Sequence, residues 1–128
     1  MAAGRRCNFL IIQWLFIQGL YFMSYGLKSP KIKPFHFSGE LGEGLRTVVM
    51  CAVVDGDPPF EFQWSKDGRI LNSDHKDISI GKFDEFTSIL NIEKLDADSN
   101  GNYTCRVSNA QGYDHKSDAL SMRGNYYL

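Results

Sequence analysis

Few side chains in this 128-residue chain have the type and spacing to do chemistry. His36, His75 and His115 fall in three separate segments, and no spacing between them resembles that of metal ligands. Asp55 and Asp57 could offer carboxylate oxygens to a hard cation. Set among Gly56, Pro58 and Pro59, they read instead as turn formers in a solvated loop. No Gly-x-Ser-x-Gly elbow or Gly-rich phosphate loop occurs. No catalytic, cofactor-binding or metal-ligating residue is therefore expected, and no small-molecule substrate. The cysteines remain. Cys7, Cys51 and Cys105 are an odd number, and their chemistry depends on the compartment the chain reaches.

That compartment is read from the N-terminus. Arg5 and Arg6 precede an uncharged run from Cys7 to Leu27, dominated between Phe9 and Met23 by Leu, Ile, Phe, Trp and Tyr. Ser24 and Gly26 are small residues placed for a cut after Gly26. Residues 1–26 thus read as a secretory signal peptide. A retained membrane anchor is the alternative, since the run is just long enough to span a bilayer; Asn8, Gln13 and Gln18 dilute it, and the small-residue exit favours cleavage. Cleavage discards Cys7 and two of the 14 basic residues. The remaining 12, set against 15 acidic ones, give a net charge of −3. A nucleic-acid binder would show a basic surplus instead. Export would put Cys51 and Cys105 where a thiol pair oxidises to a disulfide. The expected location is secreted or on the outer face of the plasma membrane, with any membrane contact made by segments downstream.

The elements that hold these residues read as strands. At 43% hydrophobic and 13% aromatic, the chain is too apolar to be disordered. Its apolar runs are short, rich in Val, Ile, Phe and Tyr, and broken by Gly, Asp and Asn at intervals of one strand plus one turn. The expected strands are Pro30 to Phe37 at an edge, Leu45 to Val54, Phe60 to Lys66, Arg69 to Leu71, Ile78 to Ile80, Phe86 to Ile92, Gly101 to Asn109 and Tyr113 to Met122. Asp67-Gly68 is a hairpin signal, and Asp96 to Gly101 reads as a polar turn. If Cys51 points inward, so do Val49 and Val53; with Cys105 go Tyr103 and Val107, with Trp64 goes Phe62, and Leu90 shares a face with Ile92. The opposite positions are mostly polar, as in half-buried antiparallel strands. Two such sheets face to face make a sandwich.

Cys51 and Cys105 lie 54 positions apart, Trp64 follows Cys51 by 13, and Tyr103 precedes Cys105 by two. This spacing resembles that of immunoglobulin domains, in which a Trp packs on an inter-sheet disulfide and a Tyr forms a corner with upstream backbone. The resemblance implies an all-β immunoglobulin-like sandwich of two antiparallel sheets bridged by Cys51–Cys105, with Trp64, Tyr103 and Leu90 in its core. The stretch from Trp64 to Tyr103 leaves room for one small extra strand, which points to the intermediate (I-set) type. The expected domain runs from residue 27 to 124, with residues 125–128 as a tail.

Pro30-Lys31-Ile32-Lys33-Pro34-Phe35, Asp84-Glu85-Phe86-Thr87-Ser88-Ile89-Leu90 and Gly101-Asn102-Tyr103-Thr104-Cys105 resemble stretches of Ig domains in the Dscam (Down syndrome cell adhesion molecule) family. One position departs: Ser99 stands four residues before the corner Tyr, where many such domains have Asp, and Asp98 is one earlier. The resemblance implies extracellular recognition of a protein partner through sheet surfaces, the same protein included. A secreted single-domain recognition or immune protein and a spacer in a receptor array are the alternatives. Two surface features bear on this. Asn102-Tyr103-Thr104 is an N-glycosylation sequon, with Asn102 facing out if Tyr103 faces in. Val48, Met50 and Ile89 point outward by the same alternation and could form the centre of an interface, although scattered exposed apolar side chains are ordinary.

Overall fold

The computed structural model describes residues 26–122. The expected leader, save Gly26, and the tail 125–128 lie outside the described residues. Period-two burial dictates the architecture: β2 (Thr47–Asp55) buries Thr47, Val49, Cys51 and Val53 and turns the intervening residues outward. Eight strands form. The others are β1 (Lys31–Ile32), β3 (Glu61–Lys66), β4 (Arg69–Ile70), β5 (Ile78–Asp84), β6 (Thr87–Ile92), β7 (Gly101–Asn109) and β8 (Gly112–Leu120). They make two four-stranded sheets, ordered β1-β2-β6-β5 and β4-β3-β7-β8, with antiparallel pairing throughout. The core between them holds Ile32, Phe35, Val49, Leu90, Ile92, Leu95, Val107 and Leu120 around the Cys51–Cys105 disulfide. β4 is the single short strand that follows β3 at the edge of the second sheet. Asp67 and Gly68 join the two with φ of 49° and 82°, the left-handed pair that a two-residue hairpin turn demands.

Three elements differ from the sequence reading, each for a physical reason. Of Pro30 to Phe37 only Lys31–Ile32 pairs as strand. Pro34 has no N–H for a ladder, and the segment passes to the other sheet. There the Asp114 and Asp118 carboxylates on β8 accept the Ile32 and Phe37 N–H groups, both at 2.8 Å. β5 does not stop at Ile80 but continues to Asp84, because β6 pairs its backbone regardless of side chain: Gly81 lies opposite Ile89 and Lys82 opposite Ser88. The polar turn contains a 3-10 turn, Ala97–Ser99, capped by Asp96, whose carboxylate accepts the Asp98 N–H at 2.9 Å.

The tyrosine corner closes just after that turn. Tyr103 is buried and donates its hydroxyl to the Ser99 carbonyl at 2.7 Å. Because the acceptor is backbone, the exchange of Asp for Ser at position 99 leaves this bond intact. The Ser99 hydroxyl accepts the Asp96 N–H at 3.0 Å and so closes the capping box. Burial, followed by the nearby charges of Asp67 and Asp96, pushes the Tyr103 hydroxyl up to about 12.

Candidate protein-binding face

The register of the first sheet sets three rows across its outer surface. Val48 lies opposite Asn91, which lies opposite Ser79; Met50 opposite Ile89, opposite Gly81; Ala52 opposite Thr87, opposite Asp84. The middle row is apolar. Val48 is 43% exposed and Met50 47%, while Ile89 is half-buried between its neighbours. A Cβ added at Gly81 would meet nothing within 4 Å, so the surface beside Ile89 is open at that position. On one side the row is bounded by polar contacts: buried Asn91 donates its side-chain N–H groups to Ser79 Oγ, at 3.2 Å, and to Glu93. The edges of the third row carry opposite charges. Lys33 donates its backbone N–H to the Ala52 carbonyl at 2.9 Å on the β1 side, and exposed Asp84 closes the row on the β5 side.

Further apolar side chains, not singled out in the sequence reading, extend this surface. Val54, 59% exposed, continues the outward alternation of Val48, Met50 and Ala52 at the last position of the expected strand, where the same count finds it. Phe83, 70% exposed, lies at the irregular end of β5 beyond the expected strand, so its place there was not legible. Phe86, by contrast, does not join this face: it packs edge-on against the core residue Phe60 with ring centroids 5.6 Å apart.

The outer surface of the second sheet is more polar. Arg106 stands over the Tyr113 ring at 4.3 Å, and Tyr113 stacks on His115 with centroids 6.3 Å apart. At the other end of β7, Asn102 is exposed and Thr104 Oγ1 shares a 2.6 Å hydrogen bond with Ser117 Oγ. The histidines stand apart: His36 lies 3.7 Å from Asp118, His75 contacts Asn72 in a loop, and His115 sits on β8. Among the described residues no group of His, Cys, Asp or Glu is arranged to hold a metal ion. No helix among them is long and apolar enough to cross a membrane.

Two facing sheets, a disulfide through the core, a tryptophan beside it and a tyrosine corner define a class, and the immunoglobulin domain family model matches residues 29–109. The chain belongs to the immunoglobulin domain family. Within it, the chain is similar to the cell adhesion molecules of the Dscam group. It is 41% identical over 80 residues to "Cell adhesion molecule Dscam2" of Drosophila melanogaster, an overlap covering 62% of this chain and 4% of that protein. It is 39% identical over 92 residues to "Cell adhesion molecule DSCAM" of Homo sapiens, covering 71% of this chain and 4% of that one. Among solved structures, the Dscam1 Ig7 domain, isoform 5, superposes with a TM-score of 0.71 at 29% identity, covering 74% of this chain and 97% of that domain. The chain therefore spans about 4% of the length of these two curated relatives.

Proposed function

We propose that the chain is an extracellular adhesion domain, spanning residues 27–124 after a cleaved leader, that binds a second copy of itself through the outer face of β1-β2-β6-β5. The single observation that carries this reading is the row Met50–Ile89–Gly81 beside Val48: apolar, central, and open at its Gly81 end. An apolar centre with a polar surround is the anatomy of a protein interface. Charge supports a second copy as the occupant. A two-fold axis running along the strands lays the β1 edge of one copy over the β5 edge of the other. Lys33 then meets Asp84 twice. An axis across the strands never brings the two edges together: along the third row it opposes Lys33 to Lys33, and along the middle row it lays Lys33 over its own edge of the first row. The similarity to proteins named cell adhesion molecules agrees with this use.

Sedimentation of the secreted domain tests it. Val48→Lys with Met50→Lys should abolish self-association without unfolding, since both side chains are about half exposed. Lys33→Glu and Asp84→Lys should each weaken it, and the pair together should restore it. Association that ignores all four changes would sink the reading. A domain that stays monomeric at every concentration, yet whose Val48 and Met50 variants lose cell binding, would assign the face to a different protein.

A further inference from the structure

The sequon on β7 has a structural context that its sequence alone does not give. Asn102 is exposed, while its backbone N–H donates to Asp67 Oδ1 at 2.9 Å, so the side chain projects from a fixed strand. Its cross-strand partner is Ala119, and the adjoining row is Ser65, Thr104 and Ser117. These small side chains leave space above the sheet. Tyr103, the middle residue of the sequon, is 1% exposed, and the Thr104 hydroxyl is engaged with Ser117.

We propose that Asn102 carries an N-linked oligosaccharide, added before β8 docks, which covers the end of the second sheet around Thr104 and leaves the first sheet's outer face free for the partner. The proposal rests on the export read from residues 1–26. The donor is an oligosaccharide carried on a lipid diphosphate. Asn102 Nδ2 bonds to the anomeric carbon of the first sugar, and the bond from that carbon to the diphosphate oxygen breaks. The lipid diphosphate leaves with the electron pair, and the amide nitrogen gives up one proton to solvent. An enzyme must grip the tripeptide along its backbone. The folded strand forbids that grip, because Tyr103 is buried and both edges of β7 are paired, with β3 and with β8. Transfer therefore takes place on the chain before the last hairpin closes. The glycan stem sits four residues from Arg106, about 13 Å along the strand. It covers one half of that sheet and none of the Met50–Ile89 row on the opposite face.

The test is secretion of the full chain from a eukaryotic cell line, enzymatic glycan release, and peptide mass spectrometry at Asn102. The expected result is a sugar-bearing Asn102, lost in Thr104→Ala and in Asn102→Gln. Secreted protein with bare Asn102 overturns the proposal while leaving export intact. A chain held inside the cell, reduced and unmodified, overturns export and the proposal with it. A second arm tests the free face. Ala52→Asn with Val54→Thr builds a new sequon on the outer face of β2 and keeps Val48 and Met50 in place. A glycan there should abolish self-association, whereas Asn102→Gln should leave the dimerisation constant within about twofold, a difference under ~0.4 kcal/mol. Association lost with Asn102→Gln, or untouched by a glycan at position 52, overturns the assignment of the free face.

Discussion

Trp64 on β3 donates its indole N–H across the core to the Ser88 hydroxyl on β6, at 3.0 Å. In register, Trp64 lies opposite Cys105 and Ser88 opposite Cys51. The disulfide and this hydrogen bond are therefore two adjacent links between the sheets, one covalent and one polar. The Ser88 hydroxyl in turn donates to the Gly81 carbonyl at 3.4 Å. A buried serine on an apolar face is thus accounted for: it satisfies the one polar atom of the core tryptophan.

Ser88→Ala leaves that N–H buried without a partner and should lower stability by about 1–3 kcal/mol. Urea denaturation followed by far-ultraviolet circular dichroism, which needs no tryptophan, reads the change. In a Trp64→Phe background the same substitution should cost much less, because no indole remains to be orphaned. Equal losses in both backgrounds would show that Ser88 acts by packing alone.

The disulfide closes a loop of 54 positions. In the chain-entropy account, its removal by Cys51→Ala with Cys105→Ala costs about 4 kcal/mol. Domains of this size hold only ~5–15 kcal/mol in total, so a large share of the margin should vanish. Comparing the denaturation midpoints of the two proteins measures it; a loss under ~1 kcal/mol would mean that core packing suffices.

Tyr103 gives the domain an alkaline limit. Its hydroxyl sits at about 12 in the fold, against 10.0 for the free side chain, so folding favours the neutral form. The contribution is whole below pH 10.0 and is lost as the pH climbs toward about 12, at ~1.4 kcal/mol per unit. Tyr103→Phe should flatten that part of the stability–pH curve. It should also be less stable at neutral pH by about 1–3 kcal/mol, because the Ser99 carbonyl loses its donor. A variant whose alkaline slope matches the parent's would assign that slope to other groups.

Gly56 and Gly44 separate backbone strain from steric clash. Both have positive φ, 119° and 83°. A Cβ at Gly44 meets nothing, whereas one at Gly56 would stand 2.8 Å from Pro30 Cα and from the Ser29 carbonyl oxygen. Gly44→Ala should cost about 1 kcal/mol from conformation alone. Gly56→Ala should cost distinctly more, since the N-terminal segment must shift. Thermal melts of the two variants decide it, and equal melting points would show that the segment yields freely.

Much of this was legible in the sequence because strand alternation is a local rule. The inward positions of Val49, Val53, Tyr103 and Val107 follow from two cysteines and a period of two. The outward row on β2 follows from the same count. What the sequence hid was pairing that side chains do not advertise. Gly81 and Lys82 belong to β5 only because β6 runs beside them, and the surface next to Ile89 is open because position 81 carries no side chain. The attachment of the N-terminal segment was hidden for a related reason: it is made by the side chains of Asp114 and Asp118, far along the chain. Proline marks the absence of a ladder but not what replaces it.

That replacement has a mechanical meaning. The segment from Ile32 to Phe37 runs parallel to β8 and is fastened to it by two carboxylates gripping backbone N–H groups. Tension applied between the N-terminal segment and the far end of β8 would load both bonds along the strand direction, in shear, so they must fail together rather than one after another. A domain clasped in this way resists being peeled from its first strand. Beside the β1–β2 pairing and the Lys33–Ala52 bond, that shear is carried by Asp114 and Asp118, two side chains that neither the core nor the outer face of the first sheet uses.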